Sequence, residues 1–285
     1  MKLWMDIQRD LEGVMCDHER ILDAWRAGGV DGVVFGPLVF GQAKLSQNAQ
    51  SLPSQGLVAP TYDPNPAVYT RLGVEAPAAP AHKLPEKRAL LEKTMTATKD
   101  RGMQVYIMYA DGGAGPGGSG HHLHDPQTLA ARIARMVDTL EHYPMADGVV
   151  MDGPEWGYEM APHHMNHRSY FFNDLPESIA PMAKDLGYDY AAMVAAKDRL
   201  LKLFHNLDPK RIRSNARGGL LGAYNMLGAD ADLMSWLSFR TASLTRNFRQ
   251  MREGVAAHLD RPVRMGCGPR SAAFAPLCGY DFVDL

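Results

Sequence analysis

Three carboxylates, Asp152, Glu155 and Glu159, and two aromatic rings, Trp156 and Tyr158, follow within eight residues of Met151, across a Gly153-Pro154 break. Two carboxyl groups held at the end of a strand can divide hydrolytic work. One stays protonated and donates to a leaving oxygen; the other is ionised and attacks, stabilises a cation or activates water. Asp152 and Glu155, three residues apart, are the best such pair in the chain, with Glu155 as general acid/base and Asp152 as nucleophile or stabiliser. A purely structural reading has Asp152 capping a turn, Glu155 solvated and Trp156 packed under a loop, but three acids and two rings are denser than capping requires. Glu159 suits a supporting or surface role as well as a third site acid.

Hydrolysis of a glycosidic bond uses such a pair, and both the separation of about 5–5.5 Å typical of retaining enzymes and the longer one of inverting enzymes remain open at this spacing. Trp156 and Tyr158 supply faces on which sugar rings stack. Asp6 and Asp111, at the ends of two other predicted strands, are placed to hold sugar hydroxyls, or to cap. Arg240 and Arg270 follow later predicted strands and suit a substrate carboxylate or an ion pair with a strand-end acid. The expected partner is therefore a carbohydrate substrate, with no cofactor.

Histidines give the alternative. His121, His122 and His124 in one loop, with His163, His164 and His167 in another, would serve a metal-dependent hydrolase if the loops met. The stretch Lys2 to Ile7 lacks the HxH of such barrels. A non-catalytic carbohydrate-binding barrel is the third reading. The glycine-rich run 112–120 contains neither GxGxxG nor GxxxxGK[ST], so a phosphate loop is not indicated.

The elements that must position these residues alternate. Lys2 to Ile7 reads as a short buried strand and Asp17 to Ala27 as a helix stopped by Gly28-Gly29. The stretch Gly32 to Pro37 is the second strand, followed by an insertion from Leu38 to about Pro85 expected to act as a lid or subsite wall, its clearest turn at Tyr62 to Pro66. A helix at Glu86 to Arg101 leads to a third strand, Gln104 to Tyr109. The next helix, opened by Asp125-Pro126 and carrying Leu129, Ile133, Met136, Val137 and Leu140, leads to the fourth at Gly148 to Asp152. An internal echo links strands two and four: Val30-Asp31-Gly32-Val33-Val34-Phe35-Gly36-Pro37 and Ala146-Asp147-Gly148-Val149-Val150-Met151-Asp152-Gly153-Pro154, the second copy with Asp152 added.

Beyond a second long loop, Tyr188 to Phe204 is predicted as a helix, Arg211 to Asn215 as strand or extended chain and Gly218 to Leu227 as a helix. Leu233 to Leu237 is predicted as a strand, Leu244 to Leu259 as a helix, Pro262 to Gly266 as a strand, and Tyr280 to Leu285 as a last strand or, with Asp281 as N-cap, the start of a helix. The fold class that results is α/β: a (β/α)8 TIM barrel in one domain, 1–285, incomplete at its C-terminus, with long loops after strands two and four. Acids and aromatics recurring at strand ends favour this over a doubly wound sheet.

Composition agrees. Hydrophobic residues make up 46% and charged residues 22%, and a net charge of -2 gives no reason to expect nucleic acid or an acidic membrane. Cys16, Cys267 and Cys278 show no CxxC spacing and read as thiols. No apolar run approaches the ~18 residues of a membrane span and the N-terminus lacks a signal-type apolar region, so a soluble protein is expected, its compartment and oligomeric state open.

The segment Gly148 to Glu155 resembles the strand-four segment of (β/α)8 glycoside hydrolases. It is similar to the D-x-x-E pattern of glycoside hydrolase family 31, in which the Asp is the nucleophile, although Gly153-Pro154 replaces the usual Met-Asn. It also resembles the D-G-x-D-x-D-x-E segment of family 18, with Asp147-Gly148 and Asp152 in place, Val150 where an Asp stands, and Pro154 where the Glu falls. In many barrels with a strand-four Glu, the nucleophile is a Glu on strand seven. The strand at Pro262 ends in Gly266 to Arg270 without an acid, so either the pair is Asp152 and Glu155 or the partner lies beyond Leu285.

Overall fold

Apolar segments too short for helices, such as Val33-Val34-Phe35 and Val105 to Met108, satisfy their backbone groups by pairing and bury side chains on both faces of a sheet. In the computed structural model, which describes residues 2–7, 11–36, 62–79, 85–110, 125–152, 175–205 and 230–267, five such strands form one sheet. They are β1 (Trp4–Asp6), β2 (Gly32–Phe35), β3 (Gln104–Ala110), β4 (Gly148–Asp152) and β5 (Arg264–Cys267). All neighbours are parallel, in the order β1-β2-β3-β4-β5. The protein is α/β. A doubly wound sheet reverses its strand order at a switch point; these five strands do not.

The echo has a structural cause. At the start of β2, Asp31 Oδ2 accepts from the Leu3 N–H at 2.8 Å, the Asp31 N–H donates to the Leu3 carbonyl, and the Asp31 carbonyl accepts from the Gln104 N–H. Asp147 repeats this at β4: its Oδ2 accepts from Val105, its N–H donates to the Val105 carbonyl, and its carbonyl accepts from Arg264. Each aspartate thus ties three strands in register. The glycine that follows each is a point of close approach, most severely at Gly148, where a Cβ would collide with the Arg264 backbone.

Register sorts the side chains. Val33, Val105, Ile107, Val149 and Met151 alternate with Val34, Tyr106, Met108 and Val150, and the second set forms a buried cluster. Because Gly32 has no side chain, the Trp4 ring reaches across β2 to stack on Tyr106, centroids 4.5 Å apart. The sequence predicts a buried strand at Lys2 to Ile7. A strand forms there, but among the described residues β1 pairs only with β2, and Trp4 is 39% exposed. An outermost position, which the strand's own residues do not encode, overrides its apolar composition.

The helices are α1 (Leu11–Cys16), α2 (His18–Ala27), α3 (Pro66–Arg71), α4 (Pro85–Asp100), α5 (Pro126–His142), α6 (Ala180–Asp185), which follows a 3-10 turn at Glu177–Ile179, α7 (Tyr190–His205) and α8 (Ala231–Ala257). Helices α2, α4, α5 and α7 lie where the apolar spacing predicts them. Four elements differ, two of them being α1 and α6, which form where the sequence reading has no element. The expected strand at Leu233 to Leu237 is the first part of α8, a 27-residue helix that also absorbs the predicted helix at Leu244. Burial at Leu233, Trp236, Leu237, Arg240, Leu244, Phe248, Met251 and Val255 follows helical period, and Asp230 caps the start through Oδ1 to the Asp232 and Leu233 N–H groups. The insertion after β2 also contains α3, begun by Asn65, whose Oδ1 accepts from Ala67, and by Pro66 at the first helical position.

The chain divides into two compact units. The first, Met1–Pro116, Gln127–Pro154 and Met251–Gly268, contains the sheet with α1 to α4, most of α5 and the last turns of α8. Within it Arg261 donates to the carbonyls of Ala146 and Leu140, tying the lead into β5 to the end of α5. The second, Gly117–Pro126, Glu155–Gln250 and Pro269–Leu285, contains α6, α7 and the rest of α8. Here Arg199 reaches both carboxylate oxygens of Asp230 and one of Asp232, and Tyr188 packs edge-on to Phe239.

Candidate functional site

Parallel strands all end on one edge of their sheet, where barrels and open α/β sheets alike carry their ligands. Here that edge carries Asp6, Phe35, Ala110, Asp152 and Cys267. Strand β2 stops at Phe35, and Gly36 then takes φ 134°, a conformation L side chains rarely adopt. Strand β4 continues one residue beyond the matching point of the echo. That residue is Asp152, in register with Ala110 as the last pair of the β3–β4 ladder. The difference between the two copies is therefore a strand end lengthened by one acidic residue.

Two residues back along the strands, the row of Met108, Val150 and Gly266 is apolar or bare, and Met108 and Val150 are buried. The strand end is thus supported by packed side chains, which holds its backbone in place. Asp6 is exposed and level with Val34, and through it with Tyr106 and Gly148. It shares the strand-end edge with Asp152, but β2 and β3 stand between them and the two are not neighbours.

Among the remaining candidates, Glu155, Trp156, Tyr158, Glu159, Asp111 and Arg270 lie outside the described residues, as do the six loop histidines. Arg240 is placed, and its surroundings correct the premise on which it was chosen. It does not follow a strand: it lies inside α8, fully buried, its guanidinium 5.6 Å from the Trp236 ring centroid. Asp147, which the family 18 resemblance aligns with a motif acid, stands at the start of β4, at the end opposite Asp152. There its Oδ1 accepts from Lys99 Nζ at 2.6 Å while Oδ2 holds Val105. Its work is strand register.

Sequence reasoning missed a second cluster, centred on Asp138, which is completely buried in α5. The described part of the insertion docks there, on the turns of α5 that lead into β4, with Tyr69 OH donating to Asp138 Oδ2 at 3.1 Å. The lid expectation for residues 38–61 falls outside the described residues. No family model, curated protein or solved structure matches the chain.

Proposed function

We propose that the protein is a glycoside hydrolase of the (β/α)8-barrel class acting on an oligo- or polysaccharide, with Glu155 as general acid/base and Asp152 as nucleophile or stabiliser. One observation carries the reading: five parallel strands in strict sequential order, with Asp152 as the residue that lengthens β4 at the strand-end edge. Right-handed crossovers between sequential strands put the connecting helices on a single face. The other face then needs cover, and Val34, Tyr106, Met108 and Val150, which share one face of the sheet, are buried together. Closing the sheet into a barrel is the solution α/β proteins use for that pattern.

In this reading Glu155 protonates the glycosidic oxygen as the bond to the anomeric carbon breaks, and Asp152 attacks or stabilises the cationic sugar. Glu155 then returns as a base to activate water. Asp6 and Asp111 hold hydroxyls, Trp156 and Tyr158 stack on the sugar, Glu159 supports the acids and Arg270 meets a substrate carboxylate where one is present. Arg240 belongs to the scaffold of α8.

The test is turnover of a panel of aryl glycosides by wild type, Glu155→Gln and Asp152→Asn. The expected result is hydrolysis by wild type, with kcat/KM on glycosides with poor leaving groups lower by at least about a hundredfold in each variant. Oligosaccharide binding without turnover, unaltered in both variants, would assign a carbohydrate-binding barrel instead. Hydrolysis abolished by a chelator and restored by a divalent metal would favour the histidine-based alternative.

A further inference from the structure

Residues 62–74 form a small capped helix with little packing of its own. The N–H groups of Leu72, Gly73 and Val74 close it onto the Tyr69 and Thr70 carbonyls, and Tyr62, Val68 and Tyr69 are its buried side chains. What holds it down is α5. Asp138 receives the Asn65 N–H on Oδ1 at 3.2 Å and the Tyr69 hydroxyl on Oδ2. The Tyr62 hydroxyl meets Thr139 Oγ1 at 2.5 Å, and the Tyr62 ring lies on His142 with centroids 4.0 Å apart. His142 Nε2 is 3.1 Å from the Asp63 carbonyl and 3.5 Å from Asp138 Oδ1, while Nδ1 faces Arg88 Nη2 at 3.5 Å. The Arg71–Glu141 pair and the Asn65 side chain also reach α5, from the exposed side.

We propose that residues 62–74 are a latch on α5 whose hold is set by the proton occupancy of two facing groups, Asp138 and His142, acting with opposite sign. This is independent of the glycosidase reading, which uses neither residue. The surrounding charged and titratable groups are Arg135 and Glu141 on α5, Tyr62, Asp63, Tyr69 and Arg71 on the latch, Arg88 and Glu92 on α4, Tyr143 after α5, and Tyr109 on β3.

The signs follow from burial, set against the hydrogen bonds that the latch makes. Burial raises Asp138 from an ordinary 3.8 to about 6, against the opposing hydrogen bonds from Asn65 and Tyr69, with Glu141 adding to the rise. Tyr69 on the latch is part of the cover over Asp138, so lifting the latch exposes the carboxyl and returns it toward its ordinary value; the docked group binds a proton more readily, and its contribution to the latch is fullest at low pH and lost as pH rises through about 6. Burial, then the Arg88 charge, lowers His142 below its ordinary 6.5. A neutral ring donates from Nε2 to Asp63 and turns Nδ1 toward Arg88; a proton on Nδ1 would set one cation against another. The contribution of His142 is therefore present above 6.5 and lost as pH falls through its lowered value.

Hydrogen exchange on the full chain reads the latch directly, through protection factors at the Val68, Leu72, Gly73 and Val74 amides, with Ile107 and Val149 in the sheet as internal standards. In His142→Gln, latch protection should rise about tenfold between about pH 7.5 and about pH 5, because only Asp138 then titrates. In Asp138→Asn it should fall over the same range. Identical pH profiles in wild type and both variants would overturn the proposal. If asparagine at 138 leaves the latch open at every pH, the His142→Gln arm alone decides, since a flat or falling profile there removes Asp138 as a controlling group.

Discussion

Asp147 accepts a hydrogen bond from the Val105 N–H at 2.8 Å and returns its own N–H to the Val105 carbonyl at 2.7 Å. Asp31 does the same with Leu3, so the repeated Asp-Gly is a device for starting a strand in register, independent of the chemistry at its far end. Asp147→Ala leaves the buried Val105 N–H without this partner and should cost about 2 kcal/mol of folding stability. Lys99→Ala, which removes only the half-exposed side of the same carboxylate, should cost less than about 1 kcal/mol. Urea denaturation midpoints of the two variants check the ranking.

The glycine that follows should be far less replaceable than one a row above on the next strand. Gly148→Ala drives a methyl into the Arg264 backbone, whereas Gly266→Ala places one at an ordinary 3.7 Å from Val150. We expect Gly148→Ala to lose about 3 kcal/mol or fail to accumulate as folded protein, and Gly266→Ala to stay within about 1 kcal/mol of wild type. Equal losses would mean that β4 and β5 are not paired in this register.

At Asp138 the expected sign is opposite to that of an ordinary core substitution. The native state holds the proton more tightly than the unfolded chain, so the ionised group is a burden above about pH 6, and the rise from 3.8 sets a ceiling of about 3 kcal/mol on it. Asp138→Asn should therefore raise global stability by about 1–2 kcal/mol at about pH 7.5 and confer no gain near pH 4. Thermal unfolding at the two pH values makes the comparison. A variant destabilised at both would show that the carboxylate contributes more through Asn65 and Tyr69 than burial removes.

The sequence discloses elements whose pattern completes itself locally. Leu129, Ile133, Met136, Val137 and Leu140 repeat within α5, and the valine runs of β2 and β4 are bounded by Gly and Asp, so these were legible. Leu233 to Leu237 is too short a window to separate a strand from a helix. The decision lay in Asp230 before it and in the helical spacing that runs on to Val255. Asn65-Pro66 is a readable helix start inside what otherwise looks like loop. The burial of Asp138 was not readable, because its cover comes from Tyr69, 69 residues earlier in the chain. Of the candidate site, the strand-end place of Asp152 was legible from the Gly-Pro break that follows it, and Asp6 is found at the same edge.

Leaving-group dependence discriminates the roles proposed for Glu155, as proton donor to the leaving oxygen, and Asp152, acting at the anomeric carbon. Steady-state hydrolysis would be measured for a series of glycosides of one sugar, from a strongly activated aryl leaving group to an alkyl one. We expect Glu155→Gln to keep most of its kcat/KM on the activated glycoside, whose departure needs no proton, and to lose roughly a hundredfold or more on the poor one, while Asp152→Asn loses activity on both. Wild-type rates in both variants across the series would contradict both roles.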